Sequence, residues 1–229
     1  MTMASQGAQS TEITAAADLR RDHMLQAALA VIGERGFPET RIADVAERAG
    51  TSPALVIYYF KTKDNLLTEA MRYAEDLWYD LGARRMAVIE TAAARLEEIV
   101  AMTCLSEADT ELPESWALWL DLWAQSVRRP EVARVREEFD AHWRETIASV
   151  VRDGMATGEF EKVDATRFAI ILSALLDGFA IQIALADPAV DPQLAFRSTM
   201  NFAAMALGFA WKPKKNADRK NGGRKKVNL

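Results

Sequence analysis

Apolar residues recur along this chain at three- and four-residue intervals, and each stretch long enough to phase predicts a helix. From Asp18 to Arg35, Leu25, Ala28, Leu29 and Ile32 fall at i, i+3, i+4 and i+7, one face of a first helix that Gly36 stops before Phe37-Pro38 turns the chain. Between Thr40 and Lys63 the pattern breaks into two short pieces. Arg41 to Arg48 puts Ile42, Val45, Ala46 and Ala49 on one face, and a second piece opening at Ser52-Pro53 does the same with Val56 and Phe60. The break at Ala49-Gly50-Thr51 has the chemistry of one helix ending and another beginning. Gly50 can take a positive φ, Ser52 can accept from unpaired amides, and Pro53 suits a first helical position. Two helices joined by a Gly-containing turn form a helix-turn-helix, and the first helix supplies the face that both must bury.

Thr62 caps a long helix beginning at Lys63 and running through Leu66, Leu67, Ala70, Met71, Ala74, Leu77 and Trp78 to about Gly82. Starting two residues after the second short helix, it is a lever between the head and the C-terminal domain. A looser helical run spans Met86 to Cys104, and the acidic stretch Ser106 to Pro113 interrupts it. Glu114 to Arg129 places Trp116, Trp119 and Trp123 at i, i+3 and i+7. Glu131 to Ala156 is amphipathic, with Val132, Val135, Phe139, Trp143, Ile147, Val150 and Val151 inward. Asp164 to Ala186 and Phe196 to Trp211 are apolar nearly all round, which means burial on all sides. A membrane-spanning reading is disfavoured because Asp177 and Gln182 fall mid-span, and a central Asp costs roughly 2.5 to 3.5 kcal/mol. Two such helices from each of two protomers predict a four-helix intersubunit seam, with Phe168, Leu172, Leu175, Asp177, Gly178, Phe202 and Met205 on it. The fold class is therefore all-α, about nine helices, with no β pattern of useful length.

Composition narrows the picture. With 229 residues, half of them hydrophobic, including six Trp and nine Phe, the chain can bury a substantial core. A single cysteine, Cys104, excludes an intrachain disulfide and a Cys-rich metal site and suits a reducing cytoplasm. No cofactor-binding motif or metal-ligand spacing occurs, and no secretory signal opens the chain. Charge is uneven: Lys212 to Leu229 carries eight basic residues against Asp218, a net +7, so the overall −5 leaves −12 elsewhere. Residues 18–65 balance at seven basic and seven acidic side chains, so charge alone does not announce DNA.

The residues Met24-Leu25-xx-Ala28-Leu29, Gly36-Phe37, Ile42-xx-Val45-Ala46-xx-Ala49-Gly50, Ser52, Tyr59-Phe60 and Thr62-Lys63-xx-Leu66 resemble the N-terminal signature of the tetracycline-repressor (TetR) family. The Trp-rich helix, Asp153-Gly154, Gly158-Glu159-Phe160 and Asp177-Gly178 resemble that family's choline-responsive BetI-like branch. The resemblance implies a cytoplasmic homodimer that binds palindromic operator DNA as a transcriptional regulator, a repressor, and is released by a small molecule; it implies no enzyme activity and no membrane partner. It divides the chain into a flexible arm (1–17), a DNA-binding head (18–64), a ligand-binding and dimerisation domain (65–211) and a disordered basic tail (212–229).

Carried over by position, the family's DNA contacts fall on Thr40, Arg41, Thr51, Ser52, Pro53, Ala54, Leu55, Ile57, Tyr58, Tyr59 and Lys63, with Lys61 close by. Pro53, Ala54 and Ile57 replace the Lys or Arg, Gly and Tyr of many members, which points to apolar contact with thymine methyl groups. In the C-terminal domain Met102, Trp116, Trp119, Trp123, Phe139, Trp143 and Phe179 are candidates for an apolar ligand pocket. Singly, each also suits core packing. With Asp121 and Asp177 nearby, such rings could hold a cation, although Asp177 also fits the seam, where Gly178 permits close approach. Two alternatives keep the helices but drop DNA: an all-α small-molecule-binding enzyme, poorly supported by two histidines 119 residues apart, and a helical adaptor dimer, which leaves Thr40 to Lys63 without a use.

Overall fold

The computed structural model describes residues 3–105 and 116–213, with side-chain surroundings from residue 17 onward except at position 117. Among these residues every regular element is helical: α1 Met3–Arg35, α2 Ile42–Arg48, α3 Pro53–Phe60, α4 Lys63–Met86, α5 Ala92–Cys104, α6 Trp116–Ser126, α7 Pro130–Thr157, α8 Ala165–Ala184 and α9 Pro192–Leu207. The acidic stretch and the basic tail from Lys214 lie outside the described residues.

The differences from expectation lie at helix ends. Residues 3–17 of the expected arm belong to α1, which starts at Met3; no proline interrupts its sequence before Gly36. α5 starts at Ala92 rather than near Met86, because Thr91 accepts from the Ala94 amide at 3.2 Å. α9 starts four residues before the expected Phe196, where Asp191 accepts from Leu194 N at 2.7 Å and Pro192 occupies a first-turn position.

Two hydrophobic cores result, and they do not coincide with the head–body division. One contains Leu25, Ala28, Leu29 and Ile32 of α1, Phe37, Val45, Val56 and Phe60 of the head, and Leu66, Leu67 and Met71 of α4. It continues without interruption into Leu118 and Leu122 of α6 and Val132, Val135 and Phe139 of α7. The other joins α5, the C-terminal half of α7, α8 and α9 around Leu96, Ile99, Ile147, Val151, Leu172 and Met200. α7 belongs to both, packing on α4, α5, α6 and α8.

The motif Gly158-Glu159-Phe160 explains the second core's corner. Gly158 closes α7 at φ 79°, and Glu159 accepts from the first-turn amides of Ala92 and Ala93 at 3.0 and 3.1 Å, capping α5 from another part of the chain. The Phe160 ring then lies directly on Gly154, where a β-carbon would overlap it. Gly154→Ala should therefore destabilise the protein by roughly 1–3 kcal/mol, as overpacking does, read as a lower midpoint in urea with an unchanged denaturant slope.

Candidate nucleic-acid interface and effector site

The helix-turn-helix is built as its sequence prescribes. Arg41 N donates to the Asp44 carboxylate at 3.1 Å at the start of α2, and Gly50 takes φ 60° at its end. Ser52 Oγ accepts from Leu55 N at 3.2 Å, and Val56 and Phe60 of α3 are buried. The corner between α3 and α4 is a three-residue turn with Lys61 at φ 64°, closed by Thr62 N donating to Phe60 O at 2.7 Å. A non-glycine residue held there is strained, so this corner transmits the direction of α4 to α3 with little slack.

On the outer side Arg41, Ser52, Pro53, Ala54, Ile57, Tyr58 and Lys61 are exposed and Thr51 is half-exposed. Tyr58 is 68% and Ile57 49% exposed, large apolar surfaces that a solvated helix has no reason to present. Lys61 Nζ lies 4.9 Å from the Tyr58 ring centre and donates to Tyr58 O at 2.6 Å, so cation and phenol form one unit.

Four predicted contacts are placed differently. Thr40 is only 3% exposed, and its hydroxyl donates to Gly36 O at 2.8 Å; it holds the turn before α2 and presents nothing to phosphate. Lys63 Nζ donates to Pro38 O at 2.8 Å and sits 4.7 Å from the Phe37 ring centre. Partial burial, reinforced by Arg129, moves its pKa below the ordinary lysine value. Leu55 and Tyr59 are half-buried against the head core, and Tyr59 contributes an edge to Tyr58 at 5.6 Å.

The aromatic candidates fall into two groups. Trp119 packs edge-on to the buried Phe139 at 5.7 Å and neighbours Trp123 at 6.4 Å, in the first core's margin. Trp143 and Phe179 pack on the second core, and Met102 approaches α4 at Gly82. Trp116 is half-buried at the start of α6. Between the groups stand residues that the sequence pattern did not single out: Trp78 meets Trp143 edge-on at 5.4 Å, and Tyr79 stacks on His142 at 3.8 Å. Beside them is Glu75, its side chain only 11% exposed, with His142 Nδ1 at 3.9 Å.

Among the described residues no Lys or Arg lies within ion-pair distance of Glu75; Arg72 of the preceding turn is engaged with Glu138 at 2.5 Å. Burial, then the neighbouring Asp76, raises its pKa to about 7, with Arg72 opposing. Glu75 was legible in principle, since it succeeds Leu67 and Met71 at four-residue steps on the inward face of α4. Asp177 shifts the same way: burial, then Asp140 of α7, raises it to about 6, with Arg144 opposing. The Asp121 carboxylate is engaged with the head, accepting from Phe37 N at 2.7 Å. Cys104 is buried, and burial lifts its thiol to about 12, which removes it as a nucleophile.

The seam residues also divide. Leu172 and Phe168 are buried within the protomer, Phe168 stacked on the half-buried Phe202 at 5.9 Å. Instead Ile170, Ile171 and Ala174 of α8 and Met205 of α9, 79% exposed, face outward, bordered by the half-exposed Leu175 and Gly178. A β-carbon added to Gly178 would meet nothing in the protomer. α8 is long and apolar enough to cross a membrane by length and composition, yet it packs on α5, α6, α7 and α9. An open depression of about 530 Å³ between Met86, Arg95, His142, Glu145 and Ser149 contains none of the predicted ligand residues.

Comparison with known proteins agrees with this geometry. A model of bacterial regulatory proteins of the tetR family matches residues 24–70, and a model of BetI-type transcriptional repressor C-terminal domains matches residues 92–208. The HTH-type transcriptional regulator BetI of Burkholderia mallei is 32% identical over 192 residues, 83% of this chain and 94% of that protein. Its Paraburkholderia xenovorans namesake is 28% identical over 191 residues, covering 83% and 94%. A transcriptional regulator from Saccharomonospora viridis, crystallised in complex with choline, superposes with a TM-score of 0.75 at 29% identity, covering 83% of this chain and 98% of that one. A TetR-family regulator from Rhodococcus sp. gives 0.73 at 26%, covering 82% and 98%.

Because Tyr58 and Ile57 contribute little to folding, Tyr58→Ala and Ile57→Ala should leave the melting temperature nearly unchanged. Each should weaken binding to the protein's promoter DNA by roughly tenfold or more, as loss of about 1–3 kcal/mol of base contact would. Fluorescence anisotropy at fixed salt measures this, and replacing thymine by uracil in the bound sequence should weaken the wild type but not Ile57→Ala.

Proposed function

Given that the chain belongs to the TetR family of bacterial transcriptional regulators and carries a BetI-type repressor C-terminal domain, we propose that it binds a palindromic operator as a homodimer and is released by a small cationic effector of the choline class. The observation that carries the effector is Glu75, a nearly enclosed carboxylate with, among the described residues, no Lys or Arg within ion-pair distance, beside the Trp78–Trp143 pair. An enclosed acid raised to about 7 is an unfavourable arrangement for the empty protein. A quaternary ammonium ion would offset it, since it donates no hydrogen bonds, fits against indole faces and brings the missing charge. The choline bound by the Saccharomonospora viridis regulator supports that class.

The dimer reading rests on the outward face of α8 and α9. Ile170, Ile171, Ala174 and Met205 form an apolar strip that water does not favour, and a two-fold axis through it would bury the strip on itself. Two heads held this way match half-sites about 34 to 36 Å apart. An effector acts only if it binds unequally to protomers at the two head separations, and α4 contains Glu75 in its middle and the head at its start. Such a regulator works in the cytoplasm with its DNA.

The decisive experiment is titration of choline chloride into protein bound to its own promoter fragment, with release of the DNA expected; unchanged binding at saturating choline refutes the effector. Ile171→Glu should turn the dimer into monomers in sedimentation and weaken operator binding far more than it changes helix content. The effector also has a definite pH dependence. Glu75 binds a cation as the carboxylate, so choline affinity should rise with pH and be about tenfold weaker at pH 6 than at pH 8. Glu75→Gln should bind more weakly at pH 8 and lose that dependence. Since the folded protein holds this proton more tightly than the unfolded chain, stability falls as pH rises from 4.5 through about 7. The same variant should therefore melt higher than wild type at pH 8.

A further inference from the structure

The amide of Phe37 lies just past the end of α1, in the turn that leads into α2, and its acceptor is Asp121, on α6, 84 residues further along the chain. Other polar groups of the turn are paired within it or with α4: Gly36 N donates to Ile32 O at 2.8 Å, Gly36 O accepts from the Thr40 amide at 3.2 Å and its hydroxyl at 2.8 Å, and Pro38 O accepts from Lys63 Nζ at 2.8 Å. Gly36, at φ 78°, brings the backbone close to Asp121; a β-carbon there would stand 3.5 Å from Oδ2. Asp121 lies between Trp119 and Trp123 in sequence, and its neighbours Leu118 and Leu122 are wholly buried in the core that also contains Phe37.

A second tie comes from the residue that precedes α7. Arg129 forms an ion pair with Asp64 at the start of α4, and its guanidinium lies 5.7 Å from the centre of the Phe37 ring, with Lys63 Nζ also on that ring at 4.7 Å. The turn that sets where α2 begins is thus held from the effector domain through its backbone and its ring, while the ion pair ties Arg129 to the start of α4.

We propose that Asp121 is a positioning residue for DNA binding: it fixes the Phe37 turn, and α6 reports the state of the effector domain to the helix-turn-helix through it. Its role in positioning the turn stands without the effector, whereas its role in reporting rests on the choline-class reading above. A displacement of α6 that withdraws the carboxylate leaves a buried amide without an acceptor, so the turn must reorganise and with it the start of α2.

The test uses the full-length protein and the variants Asp121→Ala and Asp121→Asn, the second keeping an acceptor oxygen. Amide exchange of the peptide spanning residues 33–41 should be at least tenfold faster in Asp121→Ala, and within about threefold of wild type in Asp121→Asn, while peptides of α8 and α9 stay unchanged. Affinity for the promoter fragment without choline should drop by about tenfold or more in Asp121→Ala and recover substantially in Asp121→Asn. The ratio of operator Kd with saturating choline to that without, on the order of 5- to 150-fold for an allosteric regulator, should collapse below about threefold in Asp121→Ala with choline affinity retained. Unchanged exchange in Asp121→Ala overturns the proposal, and an unchanged Kd ratio overturns the reporting role. If wild type ignores choline, the effector reading fails on its own, and exchange with choline-free affinity still decide whether Asp121 positions the turn.

Discussion

The burial of Phe37 is the contact on which the two halves of the molecule depend. A phenylalanine in a turn would normally mark the edge of a small three-helix head. Here it is buried in a core that includes Leu118 and Leu122 of α6, its ring is flanked by Lys63 and Arg129, and its amide is bonded to Asp121. A head of about 45 residues has too little interior to be stable by itself, and sharing a core with α6 and α7 supplies what it lacks. The same sharing prevents the head from moving independently of the effector domain, so the requirement for stability also provides a route for regulation.

The arrangement has a stiff half and a responsive half. The strained corner at Lys61 and the buried Val56 and Phe60 fix α3 against α4, so the reading surface of Ile57 and Tyr58 is displaced as a unit. Along α4 the packing changes from aliphatic at Leu67 and Met71 to mixed at Glu75, Trp78 and Tyr79. A carboxylate enclosed there is tolerated at a cost to stability, which its pKa of about 7 reflects. The second core, without such groups among its buried side chains beyond Ser173 and Thr199, serves as the platform from which α8 and α9 present their apolar strip.

Much of this was legible in the amino-acid sequence. The helix-turn-helix arises from local chemistry: a glycine able to adopt φ 60°, a serine that caps, a proline at a first helical turn, and two apolar positions four residues apart on α3. Helix identity and order come from three- and four-residue periodicity, and the unequal charge distribution is arithmetic. Such properties depend on residues close together in the chain. Even the outward Tyr58 and Ile57 could be deduced, because fixing Val56 and Phe60 inward leaves them no other direction.

Tertiary structure decided what periodicity could not phase. α8 is apolar all round, so nothing in its sequence separates Leu172, buried inside, from Ile171, facing out; only the neighbours α7 and α9 make that distinction. Asp121, Asp177 and Glu75 are three carboxylates among aromatic residues, alike on paper, and become a backbone acceptor, an inward acid beside Asp140 and an enclosed acid near Trp78 only when helices distant in sequence meet. Pro38 O, 25 residues earlier in the chain, accepts from Lys63 Nζ, a contact that no local pattern specifies. Local chemistry specifies which helices form and where they end, because those energies arise within a few residues, whereas the partner of each charge and the direction of each apolar face depend on packing between segments the sequence does not place side by side.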